Sequence, residues 1–337
     1  MPISVAVVIL NYNGKKFLEQ FLPSVTRHSH CAGAEVSIWL ADNASTDDSV
    51  QFTEEHYRNV RVLRLLSNDG YAGGYNNALQ KIQADYYVLL NSDVEVSAGW
   101  LEGPVRLMEG DAHVASCQPK ILSYADRQSF EYAGAAGGYL DWLGYPFCRG
   151  RIFDTIEKDK GQYDDLREVF WASGACMFLR AKVFHACGGF DKSFFAHMEE
   201  IDLCWRIKKR GHSVMYVPQS VVYHVGGGTL GKSNPRKTFL NFRNNLAMLK
   251  KNLPDSQFRK VMRWRVFLDA LAATKSLLTL NPGDASAIAR AHFRGLDLQA
   301  NTDPSARLKG IFRESILWHY FLKGKKRFSE LNTCLFS

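Results

Sequence analysis

The first 91 residues of this 337-residue chain alternate between two hydrophobic periods, and that alternation restricts the fold more than any other feature. Residues 3–10, 35–41, 60–66 and 85–90 are short apolar or β-branched runs that read as strands. Between them, residues 15–27, 47–57 and 74–83 carry helical spacing, as at Phe17, Leu18, Phe21 and Val25. Ser45 or Thr46 is placed to cap the second of these helices. Strands and helices alternating over short connections predict a parallel sheet wound by helices, an α/β fold. Ligands of such sheets bind at the carboxyl ends of the strands. Each strand here ends in a polar cluster: Asn11-Tyr12-Asn13-Gly14, Asp42-Asn43-Ala44-Ser45-Thr46-Asp47, Asn68-Asp69-Gly70 with Gly73-Gly74, and Asn91-Ser92-Asp93. Loops favour Asn, Asp and Gly in any case. Four such clusters along one sheet edge nevertheless predict a site.

The pattern loosens between residues 100 and 165, where a Gly-rich segment at 133–138 and an aromatic run at 139–147 read as an insertion. A strand at 169–180, a short helix at 181–187, a turn at Gly188-Gly189-Phe190-Asp191 and a helix at 198–210 follow. Two short strands are expected at 214–218 and 221–225. Beyond Pro235 strand signals vanish, and residues 238–251 and 258–280 read as amphipathic helices. The division expected is a catalytic unit over 1–235, with halves at 1–95 and 96–235, and a basic helical extension over 236–337. Residues 232–337 hold 20 Lys/Arg against 7 Asp/Glu, a charge of +13, while the remainder carries 22 against 27, or −5. A basic tail on an acidic body implies an anionic partner. Its aromatics (Phe242, Trp264, Phe293, Phe312, Trp318) recur at helical spacing, which reads as a packing face and argues against nucleic acid. A membrane surface fits the tail better, since a basic amphipathic helix such as 258–280 can lie in the interface. No apolar run reaches the ~18 residues of a membrane span, and the run at 5–10 is too short for a signal peptide. Seven cysteines without a C-x-x-C pair give neither a disulfide framework nor a zinc site, so a cytoplasmic location, peripheral to the inner membrane face, is the expectation.

Two acidic clusters carry candidate chemistry. Asp93 leaves a central strand, where a carboxylate can hold Mg²⁺ or Mn²⁺ against a diphosphate. Glu199-Glu200-Ile201-Asp202 opens a helix, a place acids favour for the helix dipole alone. Asp202 and Arg206 are also i,i+4 partners. Adjacent Glu199 and Glu200 raise each other's pKa, so either could serve as a general base near neutral pH. A third stretch, Gly226-x-x-x-x-Gly231-Lys232-Ser233 after the run 221–225, matches a P-loop. A P-loop lysine and serine open a helix, however, and here Asn234 stands before Pro235, which disfavours helical geometry in the preceding residue.

The succession VVILNYNG, ADNASTDDSV, SNDGYAGGYNNAL, YYVLLNSDVEV, WASGACMFLR, CGGFDKSFFAHMEEIDLCWRIKKRG and VVYHVGGGT resembles family 2 glycosyltransferases, nearest their bacterial rhamnosyltransferase-like branch. The resemblance runs from about Ser4 to Thr229. It implies a GT-A fold and inverting transfer from a nucleoside-diphosphate sugar, dTDP-rhamnose being one such donor, with a divalent metal, Mg or Mn. The acceptor it implies is a hydroxyl of a glycan or lipid-linked glycan in cell-surface polysaccharide synthesis. By the same resemblance Asp42 reads the base, with Asn11 and Asn13 beside it. Asn68, Gly70, Asn76 and Ser92 belong to the nucleotide side. Asp93 matches the last residue of the D-x-D metal motif, whose first Asp is here Asn91, and His224 matches a histidine that completes the metal shell. Glu200 occupies the place of the catalytic Asp, with Glu199 as competitor. The glycine stretch then becomes a loop over the donor diphosphate, with Gly226, Gly227, Thr229 and Lys232 as contacts. Two rivals are a binding protein that holds nucleotide sugar or glycan without turnover, and a P-loop nucleotide hydrolase.

Overall fold

The computed structural model describes residues 2–226, 234–294 and 308–337. Strands β1 (Ile3–Asn11), β2 (Ala34–Asp42), β3 (Val60–Arg64) and β4 (Tyr86–Asn91) are joined by helices α1 (Lys15–His28), α2 (Ser49–His56) and α3 (Gly70–Leu79). The four strands pair in parallel, with β1 between β2 and β4. Val5 to Val8 are wholly buried, which is why β1 reads as an unbroken apolar run and not as an alternation. Parallel register brings Asn11 opposite Asp42 and Leu10 opposite Asn91, so the polar clusters do gather on one edge.

Beyond β4 the sheet becomes mixed. β5 (Val94–Val96), α4 (Glu102–Gly110) and β6 (Val114–Ser123) come next. A separate small sheet follows, of β7 (Gly138–Asp141), β8 (Pro146–Cys148), β9 (Arg151–Ile152) and β10 (Thr155–Ile156). The chain then returns through β11 (Arg167–Val169), β12 (Cys176–Arg180), α5 (Ala181–Ala186), α6 (Glu199–Lys209) and β13 (Ser213–His224). The main sheet runs β11-β13-β6-β12-β4-β1-β2-β3, with β5 also on β13. β12 is antiparallel to both β4 and β6, whereas β13 runs parallel to β6.

Three sequence expectations are corrected here. The strand expected at 169–180 is two strands, because the backbone of Trp171 leaves the main sheet to bond Gly138 of the small one. The strands expected at 214–218 and 221–225 are one, β13, with its register shifted between Val217 and Val221. Pro218 sits in that irregularity, where its missing N–H costs no ladder bond. Strand structure also persists beyond Pro235: β14 (Ile311–Phe312) pairs in parallel with β7.

The C-terminal residues share the core of the rest. Phe312, Phe328 and Phe336 stack with Tyr139 and Phe147 at ring separations of 5.0 to 6.3 Å. Helices α7 (Pro235–Asn252), α8 (Asp255–Leu278) and α9 (Pro282–Arg294) pack against one another, and α7 lies on α6. The α6–α7 seam is polar. Asp202, fully buried, accepts from Arg206 (2.8 Å), Lys251 (3.0 Å) and Asn252 (2.7 Å). Its role is thus to join helices. Helix α8 departs from the packing-face reading of the tail aromatics alone: its buried residues are Val261, Arg265 and Asp269, while Trp264, Phe267 and Leu271 face solvent. Of the tail aromatics expected to pack inward, Phe312 is buried, but Trp264, Phe293 and Trp318 are exposed.

Asp202→Ala strands two cations beside a buried seam. We expect a loss of ~3 kcal/mol in urea denaturation; a loss below ~1 kcal/mol would mean that water already reaches the seam.

Candidate functional site

Asn11, at the end of β1, is completely buried, and its amide nitrogen donates to Asp42 (3.2 Å), Ser45 (3.1 Å) and Ser49 (2.9 Å). Asp42 accepts in addition from the Ser45 amide (3.1 Å). Asn13 takes a left-handed backbone, and its side-chain oxygen accepts from the amides of Thr46 (2.7 Å) and Asp47 (3.3 Å). These bonds tie the first two strand-end loops into one surface. Asn43, which sequence reasoning passed over, ties on the third by donating to Asn68 (3.0 Å) and the Gly70 carbonyl (3.1 Å). Gly70 has φ near +70°, and a Cβ there would meet the Phe195 carbonyl at 2.5 Å. Asn76 is engaged elsewhere. Its side chain donates to the Phe190 carbonyl (2.7 Å) and accepts from the Phe190 N–H (2.9 Å). Ser92 and Asn91 lie half-buried at the β4 end, where the Asn91 amide donates to Ala175.

Asp93 and His224 meet. His224 closes β13 and lies opposite Val94, one residue beyond Asp93. Its Nε2 is 3.2 Å from Asp93 and its Nδ1 is 3.3 Å from Glu131, although the second contact is poorly directed for a hydrogen bond. All three side chains are buried. The two carboxylates push the imidazole up to about 10 against the cost of its burial. Glu131 is a residue that sequence reasoning missed; it follows an irregular segment and belongs to no motif. With Glu131 at Nδ1, the Nε2 atom is the one presented to Asp93, the arrangement in which a carboxylate orients a metal-binding histidine. Among the described residues no three His, Cys, Asp or Glu side chains converge to hold an ion. A pair fits a hard cation that takes its remaining oxygens from a diphosphate. Gly226 follows with φ near +69°, and a Cβ there would meet Glu131 at 2.6 Å. Gly227, Thr229 and Lys232 lie outside the described residues. Helix α7 opens at Pro235 with Asn234 extended and capping Arg236 (2.9 Å), so its first turn begins after Ser233.

Glu199 and Glu200 open α6. One carboxylate oxygen of each is buried without a hydrogen-bond partner. Burial lifts both groups. Glu200 rises to about 7, and Glu199, also repelled by Glu200, rises further. Beside them the neighbouring His197 is pushed down to about 4 by burial and by Lys237, and its Nε2 is unpartnered. The Tyr71 hydroxyl donates to the Gly174 carbonyl (2.8 Å), and both glutamates add to the rise in its pKa that burial begins.

The backbone before this pair is strained: Phe195, His197 and Met198 all have φ between 62° and 73°. Non-glycine residues there cost about 1–3 kcal/mol each. Asn244, on α7 and wholly buried, offsets the strain by donating to the carbonyls of Phe194 (2.9 Å), Ala196 (2.8 Å) and His197 (2.7 Å). Arg243 adds a bond to the Ser193 carbonyl (2.7 Å). Neither residue has a motif in the sequence, because both act on backbone.

The mixed sheet, with its parallel N-terminal strands and the antiparallel β12 inserted between β4 and β6, has the GT-A fold. Two solved structures share it. GalNAc-T7 with UDP, GalNAc and Mn²⁺ aligns with a TM-score of 0.59 at 16% identity over 85% of this chain and 54% of that one, so the chain spans just over half of it. The mannosyltransferase PcManGT from Pyrobaculum calidifontis, in complex with GDP-Man and Mn²⁺, aligns with a TM-score of 0.53 at 14% identity, over 87% of this chain and 76% of that one. The chain belongs to glycosyl transferase family 2, which matches residues 6–188, more than half its length. It is 29% identical over 244 residues to an N-acetylglucosaminyl-diphospho-decaprenol L-rhamnosyltransferase of Mycobacterium tuberculosis, covering 67% of this chain and 77% of that one. It is 23% identical over 231 residues to rhamnosyltransferase WbbL of Escherichia coli, covering 65% and 83%.

Asn244→Asp keeps the volume and loses the donors. We expect it to cost ~2–3 kcal/mol in chemical denaturation, as much as Asn244→Ala. Rescue by the aspartate would show that Asn244 fills space and clamps nothing.

Proposed function

We propose that this chain transfers a sugar from a nucleoside-diphosphate donor to a hydroxyl of a glycan or lipid-linked glycan, with inversion at the anomeric carbon. One arrangement carries the reading: Glu199 and Glu200 open α6 side by side and buried, each with one carboxylate oxygen left without a partner, and burial raises the pKa of both. A rhamnosyl donor is supported by the names of both relatives, and a lipid-diphosphate acceptor by the name of the Mycobacterium tuberculosis one. The edge formed by Asn11, Asn13, Asp42, Asn68 and Gly70 would take the nucleoside, with Ser92 at its end. Asp93 and His224 would hold Mg²⁺ or Mn²⁺, with Asn91 near, as the fold's Mn²⁺-containing neighbours support. When bound, such an ion neutralises charge on the departing diphosphate. The Gly226, Gly227, Thr229 and Lys232 stretch would close over it.

Glu200 accepts the proton of the acceptor hydroxyl. That oxygen forms the new bond to the anomeric carbon as the bond to the diphosphate breaks and the nucleotide departs with the electron pair. Attack from the opposite face inverts the configuration, through an oxocarbenium-like state. The two carboxyls repel each other's charge, so the pair gives up its protons in two steps, and the one charge present after the first step serves as the base. His197, neutral at that pH, adds no positive charge that would hold Glu200 ionised at low pH.

A base with a pKa raised to about 7 is idle below that pH, so turnover should climb as pH rises through it. Glu200→Gln should lower turnover by ~10²-fold or more while donor binding survives in calorimetry. An active Glu200→Gln beside a dead Glu199→Gln would move the base by one residue. The folded state holds this proton more tightly than the unfolded chain does, so the pair costs stability as pH rises from the ordinary 4.5 towards 7. Glu200→Gln should therefore melt higher than the parent above pH 7, and about equally below pH 4.5; a lower melt above pH 7 would contradict the burial argument.

Asp93→Ala should weaken nucleotide-sugar binding in Mn²⁺ and change it little in EDTA. Equal loss in both would assign Asp93 to the fold alone.

A further inference from the structure

Helix α8 is built the wrong way round for a helix that faces water. Its inner face holds Arg265 and Asp269, both buried and bonded to each other at 3.2 to 3.3 Å. Tyr145 donates to Asp269 (2.8 Å), His292 of α9 contacts it (2.9 Å), and Arg265 donates to the side chain of Asn245. The outer face holds the large apolar groups. Trp264, Phe267, Leu271 and Leu278 fall within about 60° of one another on a helical wheel at ~100° per residue, and they are 51%, 57%, 52% and 80% exposed.

The patch continues past the helix. Phe321 (57% exposed) lies beside α8, with the Lys275 ammonium 5.8 Å from its ring centre. Of seventeen large apolar side chains exposed among the described residues, eleven fall between Trp264 and Leu322. Four of them form the α8 stripe and Phe321 adjoins it, which separates this face from the scattered apolar groups of an ordinary surface.

Charge selects the occupant. Arg259, Lys260, Arg263 and Lys275 are exposed along the same helix, and none forms an ion pair among the described residues. Lys325 and Lys326 follow the Phe321 segment, after Lys323, which pairs with Glu314 (3.5 Å). The acids of α8 are Asp255 at its first residue and buried Asp269. Aromatic and aliphatic side chains flanked by unpaired cations match a bilayer interface, where apolar groups enter the acyl boundary and lysines and arginines meet anionic headgroups. We infer that the outer face of α8, with the segment around Phe321, docks this protein on an anionic lipid bilayer. No helix among the described residues is long and apolar enough to cross a membrane, so the contact is with its surface.

Flotation of the full chain with vesicles, without donor or acceptor, tests the surface independently of the transfer reaction. Vesicles of equal parts phosphatidylcholine and phosphatidylglycerol should bind the protein, and phosphatidylcholine alone should bind it at least ~10-fold less. Raising salt should weaken binding without abolishing it, because the apolar contact is not screened. Phe267→Ser with Leu271→Ser should cost ~10-fold or more, as should Arg259→Ser with Lys260→Ser and Arg263→Ser. All five side chains are exposed, so unchanged circular dichroism and melting are expected. No binding to the mixed vesicles, or equal binding by the Phe267→Ser/Leu271→Ser variant, overturns the inference. A concentration-dependent dimer that this variant dissolves, without vesicle binding, would assign the face to a second copy and overturn it as well.

Discussion

Asn244 donates to three carbonyls of one turn, and that amide allows Phe195, His197 and Met198 to remain left-handed. The turn in its place fixes where α6 begins, and so where Glu199 and Glu200 stand. Its Phe195 carbonyl also accepts from the amides of Tyr71 (2.8 Å) and Ala72 (3.2 Å), which seats the first turn of α3 on the same segment. The clamp is reciprocal. Asp202, three residues after Glu199, holds α7 through Lys251 and Asn252, while α7 supplies Asn244. Helix α7 and the turn before the acidic pair therefore hold each other in place.

The two acidic clusters of this molecule differ in what surrounds them. Asp93 and Glu131 share a histidine, and their charges hold its proton. Glu199 and Glu200 share only each other and a buried position, so they release protons at higher pH than water-exposed glutamates do. Placing the two clusters on different elements, β13 with the segment after β6 for one and α6 for the other, permits one end to favour negative charge on the protein and the other to hold it back.

The polar interior of α8 favours specificity over stability in the same way. A buried Arg265–Asp269 pair adds little net stability over an apolar substitute. It does fix the rotation of the helix, because only one face can satisfy Tyr145, Asn245 and His292 together. Fixing that rotation is what turns Trp264, Phe267 and Leu271 outward.

The amino-acid sequence by itself determined the wound sheet of the first 91 residues, since periods of two and 3.6 are local properties of a strand and a helix. It also determined the polar edge: parallel strands joined by helices must put Asn11, Asp42 and Asn91 at the same end. Family motifs added the pairing of Asp93 with His224, which lie 131 positions apart. Only tertiary structure decided the rest. Glu131 reaches His224 because the irregular segment after β6 folds back onto Ile121. Asn244 acts on carbonyls, which every residue has, so no side-chain pattern announces it. The orientation of α8 stayed open between a packing face and a membrane face, because apolar spacing marks which residues share a face and never says whether that face meets protein or solvent. Partners distant in the chain make that choice, here through one buried ion pair and the groups that satisfy it.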